Sequence, residues 1–132
     1  MGSREDFNYL HILIQDIVTR ALTTINLSNT LQVTKMIEQG RIGAILVKNN
    51  EDLSSIVTDR GFATRVAANN LSFDTPVEKI MFSPLITINH NKSISSAAHR
   101  ITEKRIRKLA VTENDDVVGI ITSKGIVIQL TK

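Results

Sequence analysis

The sequence predicts an α/β fold built from two β-α-β-β-α repeats packed with pseudo-twofold symmetry, and three observations carry that prediction. Residues 117–125 read VVGIITSKG and residues 53–61 read LSSIVTDRG, so the same apolar run ending in Thr and continuing to Gly occurs twice. Thr58 and Thr122 lie 64 residues apart, close to half of the 132-residue chain. Each run is preceded by another short apolar run (44–47 and 109–111) and by a turn-forming tetrad, NNED at 49–52 and ENDD at 113–116. β-branched apolar runs of this length favour buried strands, and Asn and Asp between them favour a hairpin.

The elements follow in order. Phe7, Leu10, Leu13, Ile14 and Ile17 recur at spacings of three and four, which predicts an amphipathic N-terminal helix within residues 1–16. The first repeat, 17–70, opens with a short strand at 22–25. Ser28, Asn29 and Thr30 offer caps for a helix carrying Leu31, Val33, Thr34 and Ile37, ended by Gly40. A strand at 43–47, the turn and a return strand at 53–57 lead to a helix from Asp59 to about Asn69, with Phe62, Val66 and Ala67 turned inward. A polar linker, 71–79, contains Pro76 and leads into one helical turn at 77–81. The second repeat, 80–132, has the same order. It shows a strand at 85–88, a helix capped by Ser93 with Ile94, Ala97, Ala98 and Ile101, strands at 108–111 and 117–121, and a helix at 123–130. A half of about 55 residues has little core of its own, so two halves are expected to share one.

Composition narrows the function. Hydrophobic residues make up 42% of the chain but aromatics only 4%, so the interior must be aliphatic. With no cysteine there is neither a disulfide nor a Cys-based metal site, which fits a cytoplasmic protein. No apolar run approaches the roughly 20 residues that span a bilayer, and the start shows no signal-peptide pattern. A net charge of +3 permits a small anionic ligand. His11, His90 and His99 share no metal-ligand spacing. No phosphate-binding glycine loop, dinucleotide fingerprint or catalytic pattern occurs, so the chain is read as no enzyme. The densest basic run, Arg100, Lys104, Arg105, Arg107 and Lys108, has no interleaved aromatics, which disfavours nucleic acid.

The ordered set of residues resembles a tandem pair of cystathionine-β-synthase (CBS) domains, a Bateman module. In the second copy the resemblance rests on Ile80-Met81, Thr87-Ile88, Ala97-Ala98, the stretch 106–111 (IRKLAV) and the stretch 118–122 (VGIIT); in the first it rests on 42–47 (IGAILV) and 56–60 (IVTDR). The link from Arg65 through Thr75, Pro76 and Val77 to Met81 is also similar to that of the family. The resemblance implies two CBS-type repeats and a regulatory rather than catalytic role. It further implies an adenosine nucleotide (AMP, ADP or ATP) or S-adenosylmethionine as ligand in clefts between the halves, with no required cofactor. It implies association as a homodimer, and a separate effector protein as the receiver of the signal. The family's ligand signature is Thr-x-x-Asp. Here Gly61 and Gly125 stand at the Asp position, so the carboxylate that would accept ribose hydroxyls is missing from both copies.

The candidate ligand-binding residues are therefore Thr122, Lys124, Arg107, Lys108, Thr58, Arg60, Thr87 and Ala44. Thr58 and Thr122 fit equally as plain helix caps, and solvated surface charge is the commoner role for Arg60 and Lys124. The second copy is expected to suit an anion better. Asp59 places a negative charge at the first helix start where Ser123 is neutral, and the strand beside Thr58 brings Gly43 and Ala44 rather than Arg107 and Lys108. A ligand-free dimerisation scaffold is the alternative that Gly61 and Gly125 favour.

Overall fold

A computed structural model of the chain describes residues 12–20, 22–39 and 42–130. It contains two three-stranded sheets of identical topology. In the first, β1 (Thr24–Asn26) pairs in parallel with β2 (Ala44–Asn49), which pairs antiparallel with β3 (Asp52–Thr58). In the second, β4 (Thr87–Asn89), β5 (Lys108–Glu113) and β6 (Asp116–Thr122) repeat the arrangement. Even the irregularity repeats, with a register shift after Val47 in one sheet and after Val111 in the other.

The hairpins are tighter than the sequence suggests. Asn49 pairs with Asp52 and Glu113 with Asp116, so each turn is two residues and the strands extend to meet it. Asn114 and Asp115 both take the left-handed conformation (φ 52° and 67°) that such a hairpin asks of its central residues. The leading strands start later than expected, at Thr24 and Thr87. The parallel ladder fixes their register, with Thr24 opposite Leu46 and Thr87 opposite Ala110.

The helices differ between the halves. A 3-10 turn, Leu31–Thr34, runs into the short α1, Lys35–Glu38; Leu31, Thr34 and Ile37 are buried and Val33 half-buried. Gly40, the expected end of that helix, lies outside the described residues. After Thr58 comes one α-turn, α2 (Asp59–Gly61), which rewinds as a π-helix over Phe62–Ala67. The Ala68 N–H donates to Ala63 O and the Leu71 N–H to Val66 O, each skipping five residues. The wider winding keeps Phe62 and Val66 inside but leaves Ala67 exposed, against the expectation that it turns inward. In the second half α3 (Ile94–Lys104) and α4 (Ser123–Leu130) are regular.

Two compact units result, each with its own aliphatic core. One is Leu22–Leu85, and the other combines the described residues of 1–21 with those of 86–132. The first core contains Leu31, Ile45, Val47, Val57, Val77 and Ile80, and the second Ile14, Leu109, Val111, Ile121 and Ile126. Val47 and Val111 are fully buried equivalents. The segment ahead of each repeat thus packs on the other one. The Ile14 N–H donates to Lys92 O and the Ile94 N–H to Ile12 O, both at 2.9 Å, while Thr19 bridges Ile120 in β6. In the same way Thr30 bridges Pro76, and Phe82 bridges Ile56 in β3. Of the expected N-terminal helix, residues 5–11 lie outside the described residues. The part within them is a single 3-10 turn, Ile14–Asp16, where Asp16 accepts the Leu13 N–H at 3.2 Å. No helix among the described residues is long and apolar enough to cross a membrane.

Candidate functional site

Each unit has one place where an edge strand delivers a hydroxyl to a helix start. In the second, β6 ends at Thr122, whose Oγ1 accepts the Gly125 N–H at 2.9 Å. That cap satisfies one of the donors a helix start leaves unpaired. The Ser123 N–H donates back across the sheet to Arg107 O at 2.9 Å, and Lys108 sits opposite Thr122 in the ladder. Four predicted residues, Thr122, Lys124, Arg107 and Lys108, therefore meet at one end of one sheet. Arg107 and Lys124 are exposed and Lys108 is half-buried. Thr122 Oγ1 therefore lies at a junction that three cationic residues flank along the chain and across the ladder.

The first junction has the same frame with different fittings. Thr58 Oγ1 accepts the Gly61 N–H at 3.0 Å, the Asp59 N–H donates to Gly43 O at 3.0 Å, and Ala44 faces Thr58. Thr58, Arg60 and Ala44 are thus brought together too, but with one cation instead of three. The Asp59 carboxylate accepts the Arg60 N–H at 2.8 Å and sets a negative charge at the helix start, where it opposes an anion. Thr87 is not at either helix start. It lies on β4, opposite Ala110 and so two residues along β5 from Lys108, and its carbonyl accepts from Arg100 Nη1 at 2.8 Å. There it lines a separate surface recess of about 630 Å³ with Lys92, Ser96, His99 and Arg100.

The two Gly residues at the signature position stand in different surroundings. Among the described residues, a Cβ on Gly125 would meet only the Thr122 hydroxyl, at 3.1 Å. A Cβ on Gly61 would lie 2.7 Å from Cε2 of Phe82, whose ring occupies that space. Arg65 covers the same ring, with its guanidinium carbon 4.0 Å from the ring centroid. Sequence reasoning missed Phe82 and Arg65. The bridge pairing shows the contrast, because the positions matching them in the second unit carry Thr19 and Gln129.

The two described histidines lie apart in their contacts. His90 Nδ1 meets Gln15 Oε1 at 3.0 Å, His99 pairs with Glu103 at 3.5 Å, and His11 lies outside the described residues. No group of three or more potential ligands among the described residues can hold a metal ion.

Comparison with known proteins places this geometry. The family model described as "CBS domain" matches residues 77–131. The CBS domain-containing protein YhcV of Bacillus subtilis is 29% identical over 109 residues, covering 82% of this chain and 78% of that protein. A protein with CBS domains from Burkholderia ambifaria is similar in structure, with a TM-score of 0.71 and 30% identity over 82% of this chain and 81% of that one. Two neighbours of lower sequence identity share the fold and are described with ligands. The CBS domain protein PAE2072 from Pyrobaculum aerophilum is complexed with AMP (TM-score 0.75, 19% identity, 91% of this chain and 98% of that one). The CBS domain pair of protein MJ0100 is in complex with 5′-methylthioadenosine and S-adenosyl-L-methionine (TM-score 0.76, 22% identity, 90% of this chain and 95% of that one).

Proposed function

Because this chain belongs to the CBS-domain family, as a tandem pair of CBS domains, we propose that it is a cytoplasmic, non-catalytic regulatory module that binds an adenine nucleotide or a related anionic metabolite and signals to a separate partner protein. The observation that carries the reading is the convergence of Thr122 with Lys124, Arg107 and Lys108 at one strand–helix junction. Three cationic residues flanking a hydroxyl favour a phosphorylated ligand, because charge-assisted hydrogen bonds to phosphate oxygens are the strong ones. That argument ranks AMP, ADP and ATP above S-adenosylmethionine, which carries no phosphate. With Gly125 at the signature position, the ribose hydroxyls lose the usual carboxylate acceptor, so affinity rests on the phosphate end. The AMP complex of PAE2072 is consistent with this ligand class.

The signal would leave through assembly. On α4, Val127 and Ile128 are 56% and 48% exposed, an apolar pair that a second copy would cover in a homodimer. Light scattering should return twice the chain mass, and a monomer at high micromolar concentration would count against the dimer.

A thermal-shift panel of AMP, ADP, ATP, S-adenosylmethionine and cyclic or dinucleotides tests the ligand directly. A compound that binds the folded chain stabilises it by about 2.7 kcal/mol at a hundredfold excess over its dissociation constant. That rise should appear with at least one phosphorylated adenosine. A flat panel would instead favour the ligand-free scaffold, for which the filled space beside Gly61 is the specific support.

A further inference from the structure

Phe82 stands where any side chain or ligand atom beside Gly61 would have to be. The Gly61 Cβ position lies 2.7 Å from its Cε2 and 3.6 Å from its Cδ2. The ring is held there from several directions. Its backbone makes both ladder bonds to Ile56, donating at 2.8 Å and accepting at 3.1 Å. The next residue, Ser83, is hydrogen-bonded through its hydroxyl to the buried Ser55, and the Leu85 N–H donates to Ser54 O at 2.9 Å. Arg65 lies over the ring face, and its Nη1 reaches Met81 O at 3.5 Å. Phe82 is 40% exposed and no part of the unit's core, so its place is not set by core packing.

The second unit supplies the control. Ile56 bridges Phe82 as Ile120 bridges Thr19, so Thr19 is the structural counterpart of Phe82. A short polar side chain replaces the ring, Gln129 replaces Arg65, and among the described residues a Cβ on Gly125 would meet only the Thr122 hydroxyl. Beyond the charges already described, two junctions with the same strand, the same cap and the same Gly thus differ in one inserted ring and its clamp.

We infer that Phe82, held by Arg65, closes the Thr58 junction, so that the chain carries one ligand site, at the Thr122 junction, rather than two. The closure is a property of the first unit alone; the open second site rests on the reading given under Proposed function. A residue outside the repeat's own strands and helices thereby sets the stoichiometry, and Phe82 is its determinant.

Calorimetry with AMP on the full chain tests this with Phe82→Ala, which removes the ring without touching the core. Wild type should bind no more than one AMP per chain. Phe82→Ala should bind one more than wild type, and Phe82→Ala/Thr58→Val should lose that added site. If wild type binds no AMP while Phe82→Ala binds one through Thr58, the closure stands and the Thr122 reading falls. Two AMP per wild-type chain, or a stoichiometry equal to that of wild type both in Phe82→Ala and in Phe82→Ala/Asp59→Asn, which also removes the charge that opposes an anion, overturns the closure. A ligand-free arm guards against a weak probe. Gly61→Ala should lower the melting temperature by several degrees in wild type and leave it unchanged or raised in Phe82→Ala. Equal effects in the two backgrounds would show that the ring does not hold the space, and would overturn the closure as well.

Discussion

The two strand–helix junctions share a backbone and divide in what surrounds it. Both end a β-hairpin in Thr, cap a helix start through the Gly three residues on, and tie the intervening N–H to the neighbouring strand at 2.9–3.0 Å. One then gathers Lys124, Arg107 and Lys108. The other gathers Asp59, Arg60 and the Phe82 ring. Duplication preserves what folding needs, namely the ladder, the cap and the core valines Val47 and Val111. The residues that face outward from that frame diverge. The difference also comes partly from outside the hairpins and their helices, since the segments carrying Thr19 and Phe82 each lead into the first strand of one repeat and pack on the other.

The sharpest test of the comparison exchanges residues at the equivalent positions Ser55 and Gly119. A Cβ on Gly119 would lie 2.4 Å from Val18 Cγ2 and 2.6 Å from Thr19 O. The backbone there cannot yield while Thr19 and Ile120 exchange two hydrogen bonds of 2.9 Å. Gly119→Ser should cost about 3 kcal/mol in urea unfolding, the upper range for overpacking. Ser55→Gly loses the hydroxyl contacts to Ser83 and Ser54 and some backbone restraint, about 1–2 kcal/mol. Equal costs would mean that the two edge segments do not approach their strands differently.

A smaller effect should change sign between the units. Ala in place of a helical Gly gains up to about 1 kcal/mol of helix propensity. At Gly125 the new methyl meets, among the described residues, only the Thr122 hydroxyl at 3.1 Å, so Gly125→Ala should be neutral or mildly stabilising. At Gly61 the ring must leave its place, so Gly61→Ala should destabilise by about 1–2 kcal/mol. Two substitutions with the same sign would remove the physical distinction between the junctions.

The smallest difference is expected where the units are alike. Thr58→Val and Thr122→Val each remove one cap acceptor, at about 1 kcal/mol apiece, and their melting temperatures should fall together. A gap much larger than that would mean one hydroxyl has a structural partner beyond its Gly N–H.

These contrasts mark what could be read from the sequence. The hairpins, the Thr caps and the repeat itself are local signals: alternation of strand and turn residues, and a hydroxyl just before a helix. The pairing of Lys108 with Thr122 could be read from the 64-residue repeat, because the hairpin register fixes it. The rest depends on pairings between distant segments. Nothing near Gly61 in the sequence shows that Phe82 fills its space, and nothing in 12–20 shows that it packs on the second repeat. The π-winding after Phe62, which turns Ala67 outward, likewise leaves no periodic signature in six residues.

The central claim is that the Thr122 junction, not the Thr58 junction, holds a phosphorylated ligand. Calorimetric titration of AMP into Lys124→Ala, Thr122→Val, Arg60→Ala and Thr58→Val tests it most directly. Lys124→Ala and Thr122→Val should each weaken binding by roughly tenfold, the equivalent of about 1.4 kcal/mol, while Arg60→Ala and Thr58→Val stay within about twofold of wild type, less than 0.5 kcal/mol. The reverse order would make the first junction the site, and AMP bound equally by all four variants would place the ligand at neither.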